Sequence, residues 1–241
     1  MIRELKQSNI IANLLIRYRL LLQFSIIIDT IIFGLPLPDS EFVDLVEKNL
    51  VRKDDCVLEI GSNKGGLTKS LLKAVGNCGR VYACEPNPIA YEYSRLILGR
   101  KSNLISFNIG LGRKNSEGHL ERRWLTDETA KLAEESLHVP ERISFKCRIL
   151  TMDYLAKHLN PKPNVVLIDA EGAELDVLEG GIELLSSARD LRLAIELHPT
   201  ERPTIVEDVL QKMREFGYEA KLIDKSKETV TYFFARIQFW N

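Results

Sequence analysis

The chain has 241 residues, of which 45% are apolar, and its 33 basic and 34 acidic residues leave a formal net charge of −1. That size suits one α/β domain with an N-terminal extension, or at most two small domains. The near-neutral balance supplies no overall field to draw the chain to nucleic acid, and no nucleic-acid partner is expected.

Residues 10–38 are strongly apolar, but Arg17, Arg19 and Asp29 interrupt them, and Gly34 and Pro36 close them. An uncharged run such as Leu20 to Ile28 is far shorter than the ~20 apolar residues of a spanning helix. No small-residue cleavage site follows. Residues 1–50 are read as a helical extension. Its helices pack on the domain, over the substrate pocket or in a homodimer contact. A helix lying on the membrane surface is the open alternative. The four cysteines carry no zinc spacing, and Cys56 and Cys84 fall in apolar runs, as buried reduced thiols do. A reducing, cytoplasmic setting fits them.

From residue 51 to the end the pattern becomes regular, after an amphipathic helix over 39–50 that begins at Asp39 and Ser40. A strand is expected at 56–60, a helix at 67–75, a strand at 80–85, a helix at 87–100 and a strand at 104–109. Residues 113–148 are polar and irregular, and read as an insertion. A strand near 118–124, a short helix near 127–136 and a strand at 143–150 are expected there. Then come a helix at 151–159 capped by Thr151, a buried strand at 164–171 and one helix over 173–185 despite its Gly180–Gly181 pair. A strand at 191–199, a helix at 203–217 and an antiparallel pair, 218–224 with 229–237, complete the chain. The alternation predicts a doubly wound, mostly parallel sheet with an antiparallel C-terminal edge.

Four polar clusters follow the ends of predicted strands: "GSNKGG", "EPNP", "DAEGAE" and "ELHP". In an open parallel sheet those ends share one edge, where ligands bind. Gly61, Gly65 and Gly66 permit a tight turn whose amides approach a ligand. Glu85 stands where an acid grips ribose hydroxyls. The turn reads G-x-N-x-G-G, with Asn63 where a dinucleotide fingerprint has glycine. Glu59, inside the preceding strand, would repel a pyrophosphate but suits an ammonium and a sulfonium. Together these residues point to S-adenosylmethionine.

"VLEIGSNKGGLT", "VYACEPNP", "IGLG", "TMDYL", "LIDAEGAELDVLEG" and "AIELHP" resemble, in order and style, the FkbM-type methyltransferases, over about residues 57–199. The resemblance implies a class I, Rossmann-like methyltransferase fold over 51–241 and O-methylation of a hydroxyl on a sugar, glycan or other small molecule. It implies that Glu59, Gly61, Ser62, Asn63 and Gly65 line the methionine end of the cofactor. By the same resemblance Glu85 and Pro86 lie at the ribose and Asn108, Ile109 and Gly110 near the adenine. Ser62, Lys64 and Ala170 depart mildly from the common family form, and none removes an acid or donor the cofactor needs.

Transfer from a sulfonium to a hydroxyl is helped by a base. Asp169, Glu171 and His198 are the candidate catalytic residues, with Asp169 also facing the cofactor and Glu196 nearby. Glu171 has the alternative of capping the helix that follows. His198 is chosen for a pKa suited to base work. A divalent metal on Asp169, Glu171 and Glu196 is allowed by the spacing but not required. Trp124 with Glu121, Arg122 and Arg123 could hold a sugar or acidic group, or be solvated surface. His119, His138 and His158 read as surface positions. A nicotinamide-dependent oxidoreductase, a scaffold without turnover and a nucleic-acid methyltransferase stand as rivals. Glu59 and Asn63 speak against the first, the intact acidic clusters against the second, and the lack of a basic stripe against the third.

Overall fold

The computed structural model describes residues 50–122, 131–133, 143–226 and 228–237. The expectations for residues 1–49, and for Arg123, Trp124 and His138, lie outside the described residues. Among the described residues no helix is long and apolar enough to cross a membrane.

Strands β1 (Cys56–Ile60), β2 (Arg80–Cys84) and β3 (Leu104–Phe107) run parallel, joined by α1 (Gly66–Val75) and α2 (Pro88–Leu98). Helix α1 turns Thr68, Leu71 and Val75 inward. Helix α2 begins where the Asn87 side chain accepts the Ile89 N–H, with Pro88 at the first helical position. Strand β8 (Val165–Asp169) is apolar up to its last residue because it is covered on both faces; Val165, Val166 and Ile168 have no exposed surface. It lies parallel to β1 on one side and to β9 (Arg192–Leu197) on the other. Helix α6 (Ile205–Glu215) and the antiparallel pair β10 (Tyr218–Lys225) and β11 (Val230–Arg236) follow. The sheet order is β10-β11-β9-β8-β1-β2-β3, with β11 inserted antiparallel between β9 and β10. The doubly wound sheet with an antiparallel edge is thus present. Successive connections leave β1 in opposite directions, so a crevice opens beyond its C-terminal end.

At the opposite edge Arg192 pairs with Asp55 at 2.6 Å, both buried. The Asn164 side chain donates to the same Asp55 oxygen at 2.8 Å and accepts the Cys56 N–H at 2.8 Å. These bonds tie together the entries to β1, β8 and β9, which fixes how far their other ends reach into the crevice.

The expected 104–109 strand stops at Phe107. Residues Gly110–Leu111 form β4 in a second sheet, ordered β4-β7-β5-β6, with β5 (Ser116–Arg122), β6 (Lys131–Ala133) and β7 (Ile143–Leu150). The expected helix near 127–136 is corrected: residues 131–133 are a strand. Lys131, Leu132 and Ala133 pair with Glu121, Leu120 and His119, and that pairing outweighs their helical propensity. The single helix expected over 173–185 is two, α4 (Glu174–Glu179) and α5 (Ile182–Ser187). A Cβ on Gly180 would stand 2.1 Å from the Gly112 carbonyl oxygen, so the joint is where two backbones touch.

Helix α3 (Met152–His158) precedes β8, and the Thr151 hydroxyl accepts the Tyr154 N–H at 3.1 Å, as its cap. Thr151→Ala is expected to cost about 1 kcal/mol in chemical denaturation. A midpoint unchanged from wild type would mean that water replaces the cap.

Candidate active site

The crevice beyond β1 is lined by Ile60, Gly61, Asn63, Cys84, Glu85 and Pro86 from the first two βα turns. Ile109 lines it from the β3–β4 turn, Gly110 and Leu111 from β4, and Asp169, Ala170 and Glu171 from the end of β8. The sheet therefore gathers residues that lie far apart in sequence.

The first turn is anchored by two amides: the N–H groups of Gly61 and Ser62 donate to the Cys84 carbonyl at 2.9 and 3.1 Å. Gly61 has φ +87°, and a Cβ there would lie 1.8 Å from the Asp169 carbonyl oxygen. No other residue type allows both the backbone angle and the contact. Ser62 is buried in the turn, Asn63 has φ +45°, and Gly65 precedes α1 with φ +84°. Ser62 and Gly65 shape the turn from behind rather than line the crevice.

Glu85 is held from two sides. One carboxylate oxygen accepts the Asn63 N–H at 2.7 Å and the other the Asn87 N–H at 2.8 Å. The Asn108 side chain donates to the Glu85 and Pro86 carbonyls at 2.8 and 3.1 Å. Asn108 thus ties the β3 end to the β2 turn, while Ile109 and Gly110 face the crevice. Asn87 was not among the expected site residues. Its amide acts through the backbone, which carries no side-chain signature.

Glu59 lies beneath the turn, outside the lining. It is 2% exposed, with one oxygen accepting the Thr68 hydroxyl at 2.7 Å and Oε1 making no hydrogen bond. Burial, with the Glu85 charge adding to it, raises its pKa from 4.5 to about 8. The unfolded chain releases this proton near 4.5, whereas the folded protein keeps it to about 8. Between those values the folded state binds more protons, so stability falls as pH rises through the window and levels off above it. Denaturation midpoints from pH 5 to 8 are expected to show that decline, and Glu59→Gln to flatten it. A slope unchanged by the substitution would assign the pH dependence to another group.

The acidic edge forms on three elements. Asp169 ends β8, Glu171 follows with φ +48°, and His198 follows β9. His198 Nε2 stands 3.7 Å from Asp169 and 3.6 Å from Glu171. Its Nδ1 is 2.7 Å from Glu174, whose side chain has no exposure. The Gly172 N–H donates to the same Glu174 oxygen at 2.9 Å. Glu174, the last acid of "DAEGAE", was missed as a site residue because an acid opening a helix has an ordinary explanation. Glu196 faces Asp169 across the β8–β9 register and is not part of the converging set.

Burial, with Glu196 beside it, lifts the Asp169 carboxyl well above the usual carboxylate range, and burial raises Glu171 too. Burial pulls His198 down, but the Glu174 hydrogen bond and the charges of Glu174, Asp169 and Glu171 outweigh it and raise the imidazole to about 9. The expectation that His198 keeps the ordinary histidine value is corrected. In the unliganded site it is a cation among carboxylates.

The model of the methyltransferase FkbM domain matches residues 59–220, from within β1 into β10. The chain belongs to the FkbM methyltransferase family. A relative, the hexuronic acid methyltransferase AglP of Haloferax volcanii, is 27% identical over 165 residues, or 67% of this chain. The match spans 64% of that relative's length. Among solved structures, an S-adenosylmethionine-dependent methyltransferase of Aquifex aeolicus has 17% identity and TM-score 0.50, covering 80% of this chain and 88% of its own. An rRNA methylase of Streptococcus thermophilus has 14% identity and TM-score 0.51, covering 82% and 95%. These two show that the FkbM chain has the Rossmann-like methyltransferase fold. The crevice suits S-adenosylmethionine: Glu85 can accept from ribose hydroxyls, and Ile60, Cys84, Ile109 and Leu111 offer apolar walls.

Proposed function

We propose that the chain is an S-adenosylmethionine-dependent methyltransferase acting on a hydroxyl oxygen of a sugar or glycan. The observation that carries this reading is the crevice shared by Glu85, Asp169 and Glu171, joined by the Gly61 turn, with His198 standing behind the two acids. Glu85 grips the ribose, and Gly61, Ser62, Asn63 and Gly65 shape the turn at the methionine end, over Glu59. Pro86, Asn108, Ile109 and Gly110 form the wall at the adenine. When bound, S-adenosylmethionine supplies a methyl group on a sulfonium, whose departure returns an electron pair to sulfur.

Asp169, Glu171 and His198 handle the acceptor. They hold its hydroxyl in line with the methyl, and as the new O–C bond forms the proton leaves by way of the carboxylates of Asp169 and Glu171 to solvent, while the His198 cation steadies those carboxylates. Glu174 fixes the His198 ring and does not meet the acceptor. The hydroxyl is favoured over a carboxylate acceptor because the carboxylates of this edge would repel another one. A sugar acid is the first class to test, since the Haloferax relative is named for hexuronic acid.

The test is incubation of the purified chain with methyl-labelled S-adenosylmethionine and glycosides of neutral and acidic hexoses. Label is expected in an acceptor as an ether that survives mild base. A base-labile label would mean that a carboxylate was methylated, and no label on any glycoside would overturn the sugar assignment.

A further inference from the structure

The acidic edge has a geometry that hydroxyl positioning alone does not account for. Asp169, Glu171 and His198 each offer one ligand atom, and these atoms lie within 4.8 Å of one another. The His198 side chain is only 9% exposed, yet its Nε2 reaches no hydrogen-bond partner among the described residues. It points between two carboxylate oxygens at 3.7 and 3.6 Å. Two ligands at ~2.1 Å from a shared ion stand roughly 3.0–3.5 Å apart at octahedral to tetrahedral angles. The two histidine–carboxylate separations are a few tenths of an ångström wider than that, and a small inward shift of the three side chains would close them on an ion.

Two further observations point the same way. Asp169 Oδ1 is buried without any hydrogen bond. And Glu174 grips Nδ1 from the far side of the ring, in the manner of a carboxylate that orients a metal-binding histidine and leaves Nε2 to the metal.

The geometry points to a divalent-cation site made by Asp169, Glu171 and His198, with Glu174 as its positioning residue. One imidazole with two carboxylates suits a first-row ion of the Mn2+ type rather than Mg2+ or Ca2+, which favour all-oxygen shells. Three protein ligands leave positions open toward the crevice. An acceptor hydroxyl taken up there would be oriented and made more acidic, and its proton would pass to solvent. What the ion does rests on the methyltransferase reading; whether it binds does not. Glu196, expected as the third ligand, is replaced by His198.

The full chain, stripped with chelator, would be titrated with Mn2+ and the free ion followed by electron paramagnetic resonance. One ion per chain is expected. Asp169→Asn and His198→Ala should each weaken binding by at least about tenfold, and Glu174→Gln by about tenfold. Glu207→Gln, an acid in the first turn of α6, should leave it unchanged. Thermal melts of each variant would separate lost binding from lost fold. If the folded wild type binds no Mn2+ at about 1 mM, or the three variants bind as it does, the site is overturned. S-adenosylhomocysteine titrated into the same samples keeps the two ideas apart. Binding of the nucleoside without Mn2+ removes only the ion site, and Mn2+ without the nucleoside counts against the methyltransferase reading.

Discussion

Gly61→Ala is expected to abolish S-adenosylhomocysteine binding and to destabilise the fold. Two costs add. The backbone at φ +87° disfavours any Cβ by about 1–2 kcal/mol. The added carbon would also lie 1.8 Å from the Asp169 carbonyl oxygen, and that oxygen belongs to backbone and cannot swing away. The turn or the end of β8 must move, and both line the crevice. The total loss should reach at least about 3 kcal/mol in denaturant. Gly99→Ala serves as a comparison, since Gly99 also has positive φ but nothing within 4 Å of a Cβ. It should cost only the backbone term and leave binding intact. Equal effects at the two positions would mean that the contact with Asp169 is not what matters.

Glu85→Ala is expected to weaken S-adenosylhomocysteine binding at least about 100-fold. Two ribose hydroxyls donating to a carboxylate are worth roughly 1.5–3 kcal/mol each, and about 1.4 kcal/mol is a factor of ten. The carboxylate also accepts the Asn63 and Asn87 amides, so its removal loosens both turns that flank the cofactor. Glu85→Gln keeps the shape but places an NH2 against one of those amides, and should fall between wild type and alanine. Calorimetric titration of the three proteins would check the order. Glutamine binding as poorly as alanine would assign the effect to the turns rather than to the ribose.

The parts of this fold that were legible in sequence are those whose pattern is set locally or by burial on both faces. The runs 56–60, 80–84 and 165–169 are apolar but for Glu59, Arg80 and Asp169, and each leads into the polar cluster that becomes the crevice. The gathering of Gly61, Glu85, Asp169 and His198 then follows from the parallel topology alone. What was not legible depends on partners distant in the chain. Residues 131–133 look helical until Leu120 is opposite Leu132. The break at Gly180 exists because Gly112 packs there. The same holds for the acidic edge. "DAEGAE" and "ELHP" announce acids and a histidine, but only the fold turns Glu174 onto Nδ1, and with it the ring toward Asp169 and Glu171. The ordinary pKa of a histidine is no guide once three carboxylates surround it.

The most direct test is calorimetric titration of the wild-type chain with S-adenosylhomocysteine, with NADH titrated in parallel. The account predicts one nucleoside site per chain with micromolar affinity, lost in Glu85→Ala, and no heat from NADH. A folded wild type that binds NADH and not S-adenosylhomocysteine would contradict it.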